Sequence, residues 1–217
     1  TGDLATAAAA LRLVTQEAPH HAQAFYKLGK LLADRGEHGA AAPLLQHALT
    51  LQPTHLEARF VRGLVESRMG QPHAALASFR AVLAAVPGHA GALYNAGRLL
   101  LSQGQREEGQ QVLREFQRVS QQDEQLQHYQ QYLYLHPTHL ETRLALGRLL
   151  LDMGDSEAAI LELESVRRLA PRQPTLHTLL AQAYLRQGRT DDAARATRFA
   201  ETLNQEASAT APATDTR

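Results

Sequence analysis

Along this chain apolar residues return every three or four positions, as at Phe25, Leu28 and Leu32 and then at Leu44, Leu45, Ala48 and Leu49. That spacing gathers them on one face of a helix, because about 3.6 residues complete a turn. No stretch alternates apolar with polar residues over more than a few positions, so strands are not expected. Ala, Leu, Gln, Arg and Glu dominate, and these residues lose little freedom on entering a helix. Gly and Pro punctuate the pattern. Gly stands at 29, 63 and 97 and again at 36, 70 and 104, Pro stands at 19, 53 and 87, and each series steps by 34. The spacing predicts an all-α chain of helix pairs, each helix about 12–15 residues long, with Gly turns inside a pair and Pro turns between pairs.

One departure from the period is visible. The pentapeptide PTHLE occurs at 53–57 and at 137–141, 84 residues apart. Two periods account for 68 of these; the other 16 enter after Phe116, where Gln121 stands at the position due for Pro. Val112, Val119, Leu126 and Leu133 recur every seven residues there, with neither Gly nor Pro between Gly109 and Pro137. The favoured reading is a single helix of about 28 residues, roughly 40 Å long. The other is a break near Ser120, which can cap a new helix with Asp123 three residues on. Either interrupts the regular stacking and is expected to divide the concave surface in two, unless the insertion only packs on a neighbour.

A 34-residue helix pair with these residues resembles the tetratricopeptide repeat. The first full unit supplies Phe25, Leu28, Gly29, Gly36, Ala41, Ala48 and Pro53, and the next keeps Gly63, Gly70, Ala75, Phe79 and Pro87. Tyr94, Gly97 and Gly104 mark a third, Leu146, Gly147, Gly154, Ala159 and Pro171 a fourth, and Ala181, Tyr184, Gly188 and Ala193 a fifth. The resemblance implies a right-handed superhelical solenoid of antiparallel helix pairs. Its units are an incomplete first repeat at 1–21, three repeats at 22–121, an insertion at 122–139 and two repeats at 140–203. The tail at 204–217, rich in Ala, Thr, Ser and Pro, is expected to be disordered. The physical basis is independent of the family: small residues let helices cross closely, and a pair that cannot bury its apolar face alone must stack on another.

Composition narrows the function. Formal charge is +0, so no basic or acidic field points to nucleic acid or to a membrane surface. The absence of Cys removes disulfides, thiolate nucleophiles and Cys-based metal sites. No apolar run approaches the roughly 18–20 residues that a membrane span needs. The opening TGDLATAAAALRLV has no basic region or cleavage pattern and does not read as a signal peptide. Only two Lys stand against twenty Arg, and with abundant Ala this fits a GC-rich bacterial genome. The compartment stays open between cytoplasm and periplasm or exterior.

The eleven His are the compositional oddity, and His21, His55, His89 and His139 each lie two residues after a repeat-closing Pro. A metal needs ligands within about 2 Å of one ion. Repeat-equivalent residues instead lie about 10 Å apart. These His read as polar turn residues before helix starts, and no metal or cofactor is expected. The chain carries no G-x-S-x-G, no phosphate-binding Gly loop and no H-E-x-x-H. The carboxylates of GQREEGQ and LELES read as solvated helix faces with Arg partners. No enzyme is expected.

Binding remains. The resemblance implies that the first helix of each pair lines a concave surface. The fifth positions are then Tyr26, Phe60, Tyr94, Leu144 and Thr178, the ninth Lys30, Leu64, Arg98, Arg148 and Gln182, with Asn95 beside Tyr94. Three aromatics beside three cations suit an extended or helical protein segment with apolar anchors and acidic groups. The clamp that some members use for a chaperone's C-terminal carboxylates is not met, because apolar Val61 and Gly91 occupy two of its positions. The expectation is a protein-binding scaffold. The alternative is self-association through repeat ends, since Leu4, Leu11 and Val14 of the opening helix lack a partner helix. A His-based metal protein or an enzyme is a remote third.

Overall fold

A computed structural model describes residues 2–210, which form eleven α-helices and, among those residues, no strand. They are α1 Gly2–Glu17, α2 Ala22–Asp34, α3 His38–Leu51, α4 Leu56–Arg68, α5 Pro72–Ala85, α6 Ala90–Ser102, α7 Arg106–Leu135, α8 Leu140–Asp152, α9 Ser156–Leu169, α10 Pro174–Arg186 and α11 Thr190–Thr210. The chain divides into two units, residues 1–120 and 121–217, with the boundary inside α7.

Both turn types have a local cause. At the end of α2, Gly36 takes φ +80°, which places the Glu37 amide on the Leu32 carbonyl at 2.9 Å. That six-to-one bond closes a helix C-terminus, and a residue with a Cβ strains there. Gly70, Gly104, Gly154 and Gly188 repeat it. Between pairs, Pro occupies the second position of a four-residue turn, as in Gln52–His55, where the His55 amide donates to the Gln52 carbonyl at 3.1 Å. Four of these turns deliver a histidine to the next helix start, whereas the turn at Pro171 delivers Gln173. The Nδ1 atoms of His21, His55, His89 and His139 accept the amides of Ala24, Ala58, Ala92 and Thr142 at 3.1–3.3 Å.

Inside a pair the helices cross at glycines for lack of room. A Cβ on Gly63 would stand 2.7 Å from Cε1 of Phe79, and one on Gly147 2.7 Å from Cδ2 of Leu163. Phe79 and Leu163 are fully buried. In the first unit Leu28, Leu45 and Val65 form one part of the core, and Phe79, Val82 and Leu100 another. The second unit has one continuous core around Leu146, Leu163, Val166, Leu176 and Leu180.

The segment read as an insertion lies within one long helix. The span 106–135 is one helix of 30 residues, about 45 Å long. In the first unit Val112 packs on the core and Leu113 fills the space beside Gly97. In the second, Leu133 is buried and Leu126 and Tyr129 pack against the same core as Leu146. One end departs from expectation: α11 continues to Thr210, so residues 204–210 are helical. Leu203 is buried and Glu206 pairs with Arg172, which ties down a turn whose composition alone reads as disorder. The rest of the expected disordered tail, 211–217, lies outside the described residues.

Candidate binding faces on the first helices

In the first unit a cleft of about 350 Å³ opens between α2 and α4. Tyr26, Lys30, Phe60 and Leu64, four of the expected positions, line it together. Each aromatic wall rests on the histidine that caps the first helix of the next pair. Tyr26 lies 4.6 Å from the His55 ring and Phe60 4.7 Å from the His89 ring, centroid to centroid. Phe60 also meets Phe79 at 5.8 Å, which joins the cleft floor to the core. Gly91 makes room for it, since a Cβ there would stand 2.8 Å from the Phe60 Cζ. The cleft also takes in Arg68, Asp34, Glu57 and His38, which the five–nine frame did not single out.

On α6, Tyr94 is 40% exposed and leans on Phe116 at 5.3 Å. Arg98 donates to the Tyr94 hydroxyl at 3.3 Å, with its guanidinium 5.6 Å from the ring centroid. The Asn95 amide donates to the Gly91 carbonyl at 2.7 Å, so that donor is used within its own helix. These three residues do not line the cleft between α2 and α4.

The second unit has a face of different chemistry. Leu144 is half-buried and packs on the core. Arg148 lines a cleft of about 450 Å³ with Asp152, Thr175, Thr178, Gln182 and Asn204. Asn204 comes from the extended part of α11 and was not foreseen.

Charge on these faces is uneven. Lys30, Arg68, Arg98 and Arg148 have no carboxylate at salt-bridge distance among the described residues, whereas Arg62 pairs with Glu66 at 3.2 Å and Arg80 with Glu108 at 2.5 Å. Asp34 and Glu57 share the first cleft, so it is mixed in sign. Among the described residues no three His, Asp or Glu side chains converge as a metal site requires. Among those residues, too, no helix is long and apolar enough to cross a membrane.

Stacked helical pairs with variable exposed positions on the first helices define a protein–protein interaction scaffold. The chain belongs to the tetratricopeptide repeat family: one profile of that family matches residues 1–55 and 144–200, and a second matches 68–131. No curated protein gives a significant match. Among solved structures the chain is similar to MamA, with 17% identity over 84% of this chain and 97% of that one, at a TM-score of 0.39. It is also similar to YrrB, described as a tetratricopeptide protein with an unusual peptide-binding site, with 18% identity over 90% and 93% of the two chains and a TM-score of 0.44. A tetratricopeptide repeat protein from Parabacteroides merdae shares 19% identity over 93% and 87%, at 0.49. The family assignment rests on the sequence profiles and not on these scores.

Proposed function

We propose that this chain holds an extended or helical segment of a partner protein against its first-helix faces, with an apolar anchor in the cleft of the first unit. The single observation that carries the reading is that cleft, where Tyr26, Phe60 and Leu64 meet beside Lys30 and Arg68, two cations with no carboxylate at salt-bridge distance among the described residues. Aromatic anchors and Arg dominate interface energetics, and unpaired cations favour a partner with acidic groups next to its anchor. Asp34 and Glu57 on the same rim disfavour a uniformly acidic segment, so apolar anchoring leads and charge sets orientation. The test is capture of partners from the native source by the full chain and by a variant with Tyr26, Phe60 and Tyr94 all replaced by Ala. Loss of specific partners is expected, and an unchanged partner list overturns the reading. Because Phe60 touches the core, Lys30→Glu with Arg98→Glu, both at exposed positions, gives a second version with the fold kept.

A second reading has its own observation. Leu13 is 54% and Val14 39% exposed on α1, an apolar strip that another copy of the chain can cover. Light scattering over a concentration series decides it, and a monomer at the highest concentration removes it.

A further inference from the structure

His55 differs from the other three capping histidines in burial and in company. It is 7% exposed, while His21 is exposed and His89 and His139 are half-buried. Its Nδ1 accepts the Ala58 amide at 3.3 Å. A backbone amide only donates, so Nδ1 carries no proton and the ring is the Nε2–H tautomer. Nε2 then donates to Oε1 of Gln23 on α2 at 2.8 Å, and the ring packs on Tyr26. One imidazole thus fixes the first turn of α4 and contacts two α2 residues, of which Tyr26 lines the cleft.

The remaining neighbour does not fit that state. Oε2 of Glu57 stands 3.1 Å from the same Nδ1. A lone pair and a carboxylate at that distance gain nothing from each other unless a proton lies between them. Residues two past the other caps are Gln23, Gly91 and Glu141. Only Glu141 is acidic, and there the Nδ1 of His139 already has the Thr142 hydroxyl at 2.9 Å. The further charged or titratable groups facing the cleft are Lys30 and Asp34 of α2, His38 of α3, Arg68 of α4 and His89 at the start of α6.

We propose that His55 is a proton-operated latch on the first-helix face. Neutral, it caps α4 and holds Gln23 and Tyr26. When Nδ1 takes a proton from solvent, the new N–H can no longer accept from Ala58; it turns to the Glu57 carboxylate, and the cap opens. The latch is closed while Nδ1 is free to accept and open once it carries a proton, so acid drives it open. That a bound segment feels this rests on the groove reading above. The proton step itself does not.

The experiment is nuclear magnetic resonance on the labelled full chain without a partner, at pH 7.5 and 5. At pH 7.5 His55 is expected as the Nε2–H tautomer. At pH 5 the Ala58 amide is expected to exchange about five-fold faster after intrinsic correction, the factor set by a cap worth about 1 kcal/mol, and the Tyr26 ring signals to move. His55→Asn keeps a strong cap that takes no proton, so both acid-induced changes should vanish there. An Nδ1–H tautomer at pH 7.5, or an unchanged acid response in His55→Asn, overturns the proposal. Capture by the Tyr26, Phe60 and Tyr94 variant tests the groove separately, so either idea can fail alone.

Discussion

The two units build their first-helix faces on the same frame and arrive at opposite chemistry. In the first, positions five and nine contribute Tyr26, Phe60 and Leu64 to an apolar cleft with Lys30 at its edge. In the second, Arg148, Thr178 and Gln182 join Thr175, Asp152 and Asn204 in a polar cleft of similar size. The buried frame is shared, as Gly63 against Phe79 and Gly147 against Leu163 show. Conformation and packing hold those positions, while the exposed ones are free to differ. An apolar cleft gains free energy by removing partner surface from water, at about 25 cal/mol per Å². A polar one exchanges water for hydrogen bonds at small net gain. On the reading proposed above, affinity is therefore expected from the cleft of the first unit.

The largest effect expected is on folding. Phe79 is fully buried beneath the first cleft, and Phe79→Ala should cost about 3–5 kcal/mol. Hydrogen exchange should show protection lost across α4–α6 ahead of α8–α10. Equal loss in both units would mean that they do not respond as separate cores. Next comes binding. Once a partner is in hand, Phe60→Ala should weaken it by about 2 kcal/mol or more, roughly thirty-fold, and Thr178→Ala by less than about 0.5 kcal/mol. Calorimetry on the two variants reads the difference, and the reverse order would break the contrast.

Alkaline pH sharpens the comparison from the other side. Tyr184 of the second unit is 7% exposed and donates to Oε1 of Glu164 at 2.7 Å. Burial first, and then the bond to Glu164, push its phenol up to about 12. The folded state thus holds this proton more tightly than the unfolded chain does. The stabilisation is complete below pH 10 and is lost as pH rises through 12. Thermal unfolding of the second unit should fall over that window and do so less in Tyr184→Phe. An identical slope in the variant would exclude Tyr184 as the cause.

Much of the fold was legible because backbone turns and helix crossings demand residue types. The 34-residue steps of Gly and Pro identify Gly36 and its equivalents as left-handed turn positions and Gly63 as a crossing, without reference to any neighbour. The faces were less legible, because exposure depends on what the next element covers. Tyr94 and Leu144 hold the same frame position, yet Tyr94 stays open beside Phe116 while Leu144 packs on its unit's core. The amide of Asn95 turns back to Gly91, and Asn204 enters only because α11 outlasts its repeat. Gly91 carries a packing signal as well: a glycine at a helix start, beyond any turn, marks the space that Phe60 fills.

The smallest effect tests the shared frame. Gly36 and Gly154 close equivalent turns in the two units, at φ +80° and +87°, and a Cβ on either meets nothing within 4 Å. Space is thus no obstacle at either site, and the penalty for Ala is the left-handed conformation alone, about 1 kcal/mol. Part of it returns through the lower chain entropy that Ala gives the unfolded state. Gly36→Ala and Gly154→Ala should therefore destabilise their own units by the same amount within about 0.5 kcal/mol, as read by denaturant midpoints and local exchange. Neither should alter partner capture, because neither residue lines a cleft. A marked inequality would show that the frame is not equivalent in the two units, and the contrast between their faces would then reach below the surface.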